Sequence, residues 1–270
     1  MLAMDGGNME NDLIRLKIME RREMMKAYDE SDEELISDQM AGATQPPLEK
    51  ASIGTKFIKL TKDFTQIIKN NNFLELMNSR VSRRRYNEEK LSLEELSFLL
   101  WSTQGVKNVI GKDRKATMRT VPSAGARHPF ETYLFINRVE GLDSGVYHYL
   151  AIEHKLEFIK AIEQQEDRVS EAYCGQTFFG YAAVSFVWTV IPYRSEWRYS
   201  VEAQKYALLD AGHICQNLYL ACEAIGCGTC AIGAYDQKLA DELLDLNSEP
   251  SCDNENEFVI YAAAVGKIDK

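Results

Sequence analysis

The chain has 270 residues, which is room for one large domain or two small ones. Hydrophobic residues make up 45% of it and charged residues 27%, as in ordinary globular proteins. Its 41 acidic and 31 basic side chains give a formal charge of −10, which argues against nucleic acid or an anionic membrane as partner, because both attract a net basic surface.

Targeting signals are missing from the sequence as well. No apolar run approaches the roughly 20 residues that a membrane-spanning helix needs. Residues 1–10 have neither the basic nor the apolar part of a secretory signal. Six cysteines in a chain without such a signal are typical of reduced thiols. We therefore expect a cytoplasmic protein with no membrane partner.

Residues 1–50 are charged, rich in methionine and poor in aromatic side chains, and Gln45-Pro46-Pro47 closes this segment. The composition predicts an N-terminal arm, partly ordered, that lies on the surface. Residues 51–270 contain no further linker and no internal repeat. We therefore predict an arm followed by a single domain.

Two helical patterns begin the domain. Apolar residues recur near helical spacing over residues 63–78, although Asn70 to Asn72 can interrupt that helix. Ser92 is followed three residues later by Glu95, which is the spacing of a capping box, and a leucine-rich helix is predicted after it.

Strand patterns follow. Residues 133–136, 146–150 and 156–159 are predicted strands, and the last two are close enough in sequence to form a hairpin. Residues 182–191 are apolar and β-branched almost throughout, which predicts a buried central strand.

The last third of the chain mixes both patterns. Residues 202–225 are apolar nearly all round at helical spacing, which predicts a helix in the core or at a subunit interface. A shorter helix is predicted over 236–244 and a final strand over 258–265. Helices mixed with antiparallel strand pairs predict an α+β fold.

The first candidate site is a basic cluster from Arg80 to Tyr86. Alternate residues of an extended chain share a side, so Arg80, Ser82 and Arg84 would point together. Two guanidinium groups and a hydroxyl can clamp a phosphate. A solvated basic loop is the alternative, and spacing alone favours it.

The second candidate is the run from Pro122 to Pro129, in which small residues between two prolines suit a rigid turn that a flat ligand can approach. Ser123 and Arg127 would supply the polar contacts. An ordinary surface turn before a strand explains the same residues, so both interpretations stay open.

The third candidate is the glycine-rich run over residues 226–234, after the longest helical pattern. Gly226 is placed to end that helix, and a tight turn of small residues beyond it would leave amide N–H groups accessible to a ring system. Cys227 and Cys230 also match C-x-x-C, but a redox dithiol expects that motif at the start of a helix.

Two further residues have alternative interpretations. His213 lies mid-helix among apolar residues, which favours a core or interface histidine over a catalytic acid. Tyr199 follows the predicted central strand and is a candidate proton donor, with an ordinary surface tyrosine as the alternative. The sequence has neither a Rossmann G-x-G-x-x-G after a strand nor a P-loop.

The order of four segments resembles the nitroreductase superfamily. These are R-x-S-x-R-x-Y from Arg80, P-S-A-G-A-R-H-P from Pro122, L-L-D-A-G-H-I-C-Q-N-L from Leu208, and I-G-A-Y from Ile232. The P-S-A-G-A-R and D-A-G-H portions are similar to the SagB-type branch, named for dehydrogenases that oxidise azoline rings in peptide natural products. The resemblance covers about residues 38–268.

This resemblance implies an α+β sandwich with a mixed, mainly antiparallel sheet flanked by helices. It also implies an intertwined homodimer with one FMN in each interfacial cleft. By motif, the FMN phosphate and ribityl chain would be held by Arg80, Ser82, Arg84 and Lys267.

Other matched residues would contact the isoalloxazine ring. Pro122, Ser123, Ala124 and Gly125 match a segment that meets the ring, often from the partner subunit. Gln176 matches an amide directed toward the pyrimidine, and the backbone of Ile232 and Gly233 would face N5.

One departure from the family pattern bears on the reaction. Azoline-oxidising members share a Lys-Tyr pair that appears here as Arg198-Tyr199. Arginine cannot readily accept a proton at neutral pH, because its pKa exceeds about 12. Azoline oxidation is therefore not favoured, although the Tyr199 hydroxyl remains available.

The resemblance predicts an FMN-dependent oxidoreductase that transfers hydride through flavin N5 by a ping-pong mechanism, with Tyr199 and Gly233 as its catalytic residues. The substrate would be a small molecule or a modified peptide. The first alternative is reduction of nitro compounds or quinones with NAD(P)H as reductant, or fragmentation of the flavin. The remote alternative is a thiol sensor built on Cys215, Cys222, Cys227 and Cys230.

Overall fold

The computed structural model describes residues 6–26, 36–246, 254 and 256–269. Within these residues the chain forms eight α-helices and nine β-strands. The helices are α1 Gly6–Glu23, α2 Phe73–Ser79, α3 Leu93–Gln104, α4 Gln165–Ala172, α5 Thr177–Gly180, α6 Tyr193–Tyr199, α7 Ala203–Ile225 and α8 Gln237–Leu243. The strands are β1 Phe57–Lys59, β2 Val106–Ile110, β3 Ala116–Arg119, β4 Phe130–Ile136, β5 Gly145–Leu150, β6 Lys155–Lys160, β7 Val184–Val190, β8 Cys227–Ile232 and β9 Phe258–Lys267.

Seven of the strands form one sheet in the order β1-β6-β5-β4-β7-β9-β8, and every neighbouring pair in it is antiparallel. β2 and β3 form a separate hairpin. The predicted hairpin of β5 and β6 is confirmed, and so is the buried central strand, since β7 lies between β4 and β9. The α+β prediction is therefore confirmed.

Helices cover both faces of the sheet. Leu96 and Leu99 of α3 and Leu218 of α7 are fully buried in the larger core cluster. Val169 of α4 and Ala240 of α8 are buried in a second cluster. All seven residues of β7 are buried, as expected for a strand whose two faces both meet helices.

The two early helix predictions have different outcomes. The capping box is confirmed, because Ser92 Oγ accepts from Glu95 N and the Glu95 carboxylate accepts from Ser92 N. The helix predicted over 63–78 is wrong in extent, since α2 begins only at Phe73. Asn72 caps that helix by accepting from the amides of Leu74 and Glu75. An N-cap residue has extended backbone, so the helix cannot continue before it.

The glycine-rich run after α7 is not the tight turn that its composition suggested. Gly226 does end the helix in the left-handed conformation, with φ of 73°. Cys227–Ile232 then forms β8, the edge strand of the sheet, paired along its length with β9. The same pairing buries Cys227 and Cys230.

Residues 36–50 lie against the domain. The Gln39 N–H donates to the carbonyl of Trp197 at 2.7 Å, and the Trp197 indole donates to the carbonyl of Ala43 at 3.0 Å. Lys50 pairs with the buried carboxylate of Glu257 at 2.6 Å. In the described part of the chain, no helix is long and apolar enough to cross a membrane.

Candidate functional site

The segment after α2 is extended and runs beside β8. The Arg83 N–H donates to the carbonyl of Thr229 at 2.9 Å, which fixes the register of the segment. The Arg83 side chain forms an ion pair with Glu223 of α7. Arg80 and Arg84 have no carboxylate partner among the described residues. Arg83 is thus neutralised by Glu223, whereas Arg80 and Arg84 have no such partner in the described chain.

Tyr219 of α7 joins this segment to β8. Its hydroxyl lies 2.9 Å from Ser82 Oγ and accepts from the Ala231 N–H at 2.9 Å. The guanidinium carbon of Arg80 lies 5.3 Å from the Tyr219 ring centre. That of Arg84 lies 5.8 Å from the ring of Phe178, which belongs to α5. We call Arg80, Ser82, Arg84 and Tyr219 the arginine cluster.

Tyr219 was not predicted from the sequence as a site residue. It occupies a helical core position, and it is 9% exposed. Only its hydroxyl distinguishes it from other apolar residues of α7. A buried tyrosine hydroxyl normally finds a hydrogen-bond partner, but the sequence does not identify that partner.

Lys267 was predicted to join Arg80 and Arg84, and the structure gives it a different partner. Its amine forms an ion pair with Glu95, the capping-box carboxylate of α3. Burial disfavours the charged amine, but the hydrogen bond with Glu95 outweighs it and raises the pKa of Lys267. Its charge is therefore compensated inside the protein, unlike the charges of Arg80 and Arg84.

Gln176 lies next to the end of β8. Its amide nitrogen donates to the carbonyl of Tyr173 at 2.9 Å and to that of Ala234 at 3.0 Å. The structure thus brings Gln176 beside Ile232 and Gly233, as the sequence hypothesis required. Gly233 is exposed, and a Cβ placed on it would meet open space.

The turn from Ser123 to Ala126 meets the end of α6. Gly125 has φ of +53°, and a Cβ placed on it would lie 2.4 Å from the Tyr199 hydroxyl oxygen. A side-chain carbon at this position would force Tyr199 and Arg198 to shift, and the positive φ adds backbone strain. The Tyr199 ring packs edge-on against Tyr206, with 4.9 Å between the ring centres.

Asp210, the acidic residue of D-A-G-H, holds the same turn from α7. Its two carboxylate oxygens each lie 3.3 Å from the Ala124 nitrogen, and it also hydrogen-bonds the Ser123 side chain. Burial raises the pKa of Asp210, although the bonds to Ser123 and Ala124 oppose that shift. We call Ser123, Ala124, Gly125, Tyr199 and Asp210 the glycine-turn cluster.

Arg127 is buried behind the turn. It is 4% exposed, its Nε donates to the carbonyl of Arg194 at 2.8 Å, and its guanidinium carbon lies 4.9 Å from the Trp197 ring centre. Burial lowers the pKa of Arg127. Through these two contacts Arg127 braces α6, and its predicted contact with the cofactor stays a prediction. Pro122, at the start of the turn, is exposed.

His213 is exposed in the single chain, so it is not a core histidine, and its location at a subunit interface stays a prediction. It shares the outer face of α7 with Gly212 and with two leucines, Leu208 and Leu209, that are 61% and 56% exposed. The outer face of the helix near its N-terminal end therefore carries exposed apolar side chains.

The two clusters lie on opposite sides of α7. Asp210 and Tyr219 are nine residues apart, which at ~3.6 residues per turn is about two and a half turns and about 14 Å along the axis. Half a turn of rotation directs their side chains in opposite directions. One chain therefore holds the two groups of predicted site residues on different sides of one helix.

The two cysteines of the C-x-x-C motif lie in environments that suppress their reactivity. Cys227 and Cys230 are three positions apart on a strand, so their side chains point to opposite faces. Burial raises the pKa of Cys227 to about 12 and also raises that of Cys230. The described residues bring together no group of three or more side chains that could hold a metal.

Comparison with known proteins gives one family. The model of the nitroreductase family matches residues 77–267. A Methanocaldococcus jannaschii protein named as a nitroreductase is 30% identical over 172 residues, which are 63% of this chain and 83% of that protein. The trifolitoxin-processing protein TfxB of Rhizobium leguminosarum bv. trifolii is 31% identical over 137 residues, 48% of this chain and 36% of TfxB.

The fold comparison agrees with this family. A solved structure from Ralstonia eutropha JMP134, also named as a nitroreductase, superposes with a TM-score of 0.62 at 21% identity. The match covers 88% of this chain and 97% of that one.

Proposed function

This chain belongs to the nitroreductase family and is an oxidoreductase, and from that premise we propose that it uses FMN to transfer hydride between two substrates that bind in turn. The observation that carries the proposal is the arginine cluster. Arg80 and Arg84 keep unpaired charges beside the Ser82 hydroxyl, while the arginine between them is neutralised by Glu223. A phosphate is the dianionic group that such a donor set fits best.

The ring-binding part of the proposal rests on Gly233, Gln176 and the glycine-turn cluster. Gly233 has open space at its Cα, which lets a flat ring come close to the backbone. The Gln176 side-chain amide lies close to Gly233, because it donates to the carbonyl of the next residue, Ala234. The backbone of Ile232 and Gly233 would then face the reactive edge of the ring.

We propose a homodimer because the clusters point to opposite sides of α7. A single flavin can touch both only if the glycine-turn cluster comes from a second copy of the chain. The exposed leucines of α7, Leu208 and Leu209, supply an apolar surface for that contact. Each of the two sites would then combine the arginine cluster of one copy with the turn of the other.

FMN, when bound, supplies the hydride acceptor and donor. The chain's own residues bind the phosphate, orient the ring and offer the Tyr199 hydroxyl as a proton donor next to Gly125. We propose Tyr199 for this step because arginine, the neighbouring residue type at position 198, does not readily exchange a proton with a substrate.

The test begins with the visible spectrum of purified protein and chromatography of any ligand released on denaturation. Stoichiometric FMN is expected. Arg80→Ala with Arg84→Ala should weaken FMN binding about 100-fold, since two charge-assisted contacts are lost. The matched control is Arg85→Ala, an exposed arginine of the same segment, which should change it less than about threefold. Equal loss in both variants would reject the phosphate assignment.

The reaction itself separates two candidates. Rapid NAD(P)H oxidation with a nitroaromatic or a quinone would indicate a small-molecule reductase. The similarity to TfxB instead favours a modified peptide as substrate. Slow NAD(P)H turnover together with flavin reduction by a heterocycle-containing peptide would support the second candidate.

A further inference from the structure

We propose that the substrate of this site carries an oxyanion, and that Arg198 binds it beside the Tyr199 hydroxyl. The inference rests on the proposed function, since it concerns the substrate that would share the site with FMN. Its basis is the charge distribution at the end of α6.

Arg198 borders the glycine-turn cluster directly. A Cβ placed on Gly125 would lie 2.9 Å from Arg198 Nε and 2.4 Å from the Tyr199 hydroxyl oxygen. The guanidinium carbon of Arg198 lies 5.5 Å from the Tyr199 ring centre. The Arg198 guanidinium and the Tyr199 hydroxyl, the proposed proton donor, thus both lie beside Gly125.

No carboxylate of the described residues forms an ion pair with Arg198. Arg194, one turn earlier on α6, pairs with the buried Glu131 at 2.6 Å. Within the described parts of the chain, Arg198 takes part in no ion pair and is exposed. The nearest acidic group of the turn, Asp210, is already engaged by Ser123 and Ala124.

A second arginine behind the turn adds to the positive potential. Arg127 is buried, its Nη2 has no hydrogen-bond partner among the described residues, and no carboxylate pairs with it. Burial lowers its pKa first, and the charges of Arg198 and Arg194 lower it further. Of these three arginines only Arg194 has a carboxylate partner in the described chain, Glu131, and the excess of unpaired cations beside the turn attracts an anion.

A guanidinium group matches carboxylate and phosphate oxygens through two parallel N–H bonds. Bound at Arg198, such a group would hold the rest of the substrate next to Tyr199. The positive charge would also disfavour cationic substrates. Arg198 is in this view a specificity-determining residue rather than an acid or a base.

The experiment uses the full FMN-loaded chain and measures by calorimetry the binding of benzoate, phenylphosphonate and neutral benzamide. At least one anion should bind about tenfold more tightly than benzamide. This factor is at the low end of what a charge-assisted hydrogen bond contributes, because solvent partly screens the exposed Arg198. The stronger of the two anions identifies the group as carboxylate or phosphate.

Variants assign the effect to this residue. Arg198→Gln should weaken binding of the preferred anion about tenfold and change benzamide binding less than about twofold. Arg198→Lys should bind the anion more tightly than Arg198→Gln but less tightly than the unmodified chain, because lysine keeps the charge and lacks the two parallel N–H donors. Arg168→Gln, at an exposed arginine of α4, is the matched control and should have no effect.

The possible failures are distinguishable. A chain that neither retains nor takes up FMN overturns the proposed function and the inference with it. An FMN-loaded chain that binds both anions no better than benzamide overturns the oxyanion inference alone. Unchanged anion binding in Arg198→Gln does the same.

Discussion

The arginine cluster and the glycine-turn cluster are built in different ways. The arginine cluster lies on an exposed extended segment, and two of its cations have no acidic partner in the described chain. The glycine-turn cluster is braced from inside, by Asp210 from α7 and by Arg127 against α6. A ligand can therefore change the charge balance of the first, whereas the second keeps its geometry without one. The difference predicts which substitutions affect folding and which affect binding.

The largest effect is expected at Gly125. Gly125→Ala introduces a Cβ at positive φ and within 2.4 Å of the Tyr199 hydroxyl oxygen. The backbone cost is about 1–2 kcal/mol, and displacement of Tyr199 adds to it, so we expect a loss of about 3 kcal/mol in the free energy of unfolding. Urea denaturation measures it.

Gly141→Ala is the matched control for that change. Gly141 has φ of +76°, and its Cβ would meet nothing within 4 Å. It should therefore show only the backbone cost of about 1–2 kcal/mol. Equal losses at the two positions would mean that Tyr199 does not constrain the turn.

The second effect concerns the buried support of α6. His148 lies between Glu131 and Glu157, with nitrogen–oxygen distances of 2.9 and 2.7 Å. Burial works against its charge, but hydrogen bonds to both carboxylates outweigh it and raise the pKa of His148 to about 9. Because Glu131 also pairs with Arg194, the charge on His148 contributes to the position of α6.

The pH dependence follows from that shift. A raised pKa stabilises the fold fully below the unfolded value of about 6.5, and the contribution is lost as pH rises toward 9. We expect the free energy of unfolding to fall on the order of 2 kcal/mol between pH 6.5 and 9. His148→Gln should remove most of this slope, and a slope that persisted in the variant would assign it to another group.

The smallest effect is expected in the arginine cluster. Tyr219→Phe removes the hydroxyl that accepts from the Ala231 N–H and contacts Ser82. The expected loss is about 1 kcal/mol in the free energy of unfolding, since water can replace part of the contact. Thermal unfolding with and without FMN would show whether FMN also stabilises the variant less than it stabilises the unmodified chain. A loss above about 3 kcal/mol would contradict the view that this cluster contributes little to folding.

Features that depend on neighbours in sequence were predictable. The Ser92 capping box, the β5–β6 hairpin and α7 each follow from residue spacing over one or a few turns. The family resemblance adds the order of the motifs and hence the candidate residues. Periodicity and motif order therefore predict most of the fold and the approximate location of the site.

Features that depend on distant partners were not predictable. Cys227–Ile232 has few residues with strong strand propensity, and it becomes a strand because β9 pairs with it. Lys267 meets Glu95 across 172 positions of sequence, so no local pattern could have predicted this ion pair. The contact of Tyr199 with Gly125 likewise depends on where α6 packs.

The bond from the Arg83 N–H to the Thr229 carbonyl means that the segment proposed to bind the cofactor also lies along the outer edge of β8. An uncovered edge strand offers its free amides and carbonyls to any other extended chain, which is a common route to aggregation. The segment that carries Arg80 and Arg84 thus covers the edge strand β8 and blocks such pairing. Whatever loosens this segment also exposes the edge of β8, so retention of the proposed cofactor and resistance to aggregation would be coupled through one short stretch of backbone.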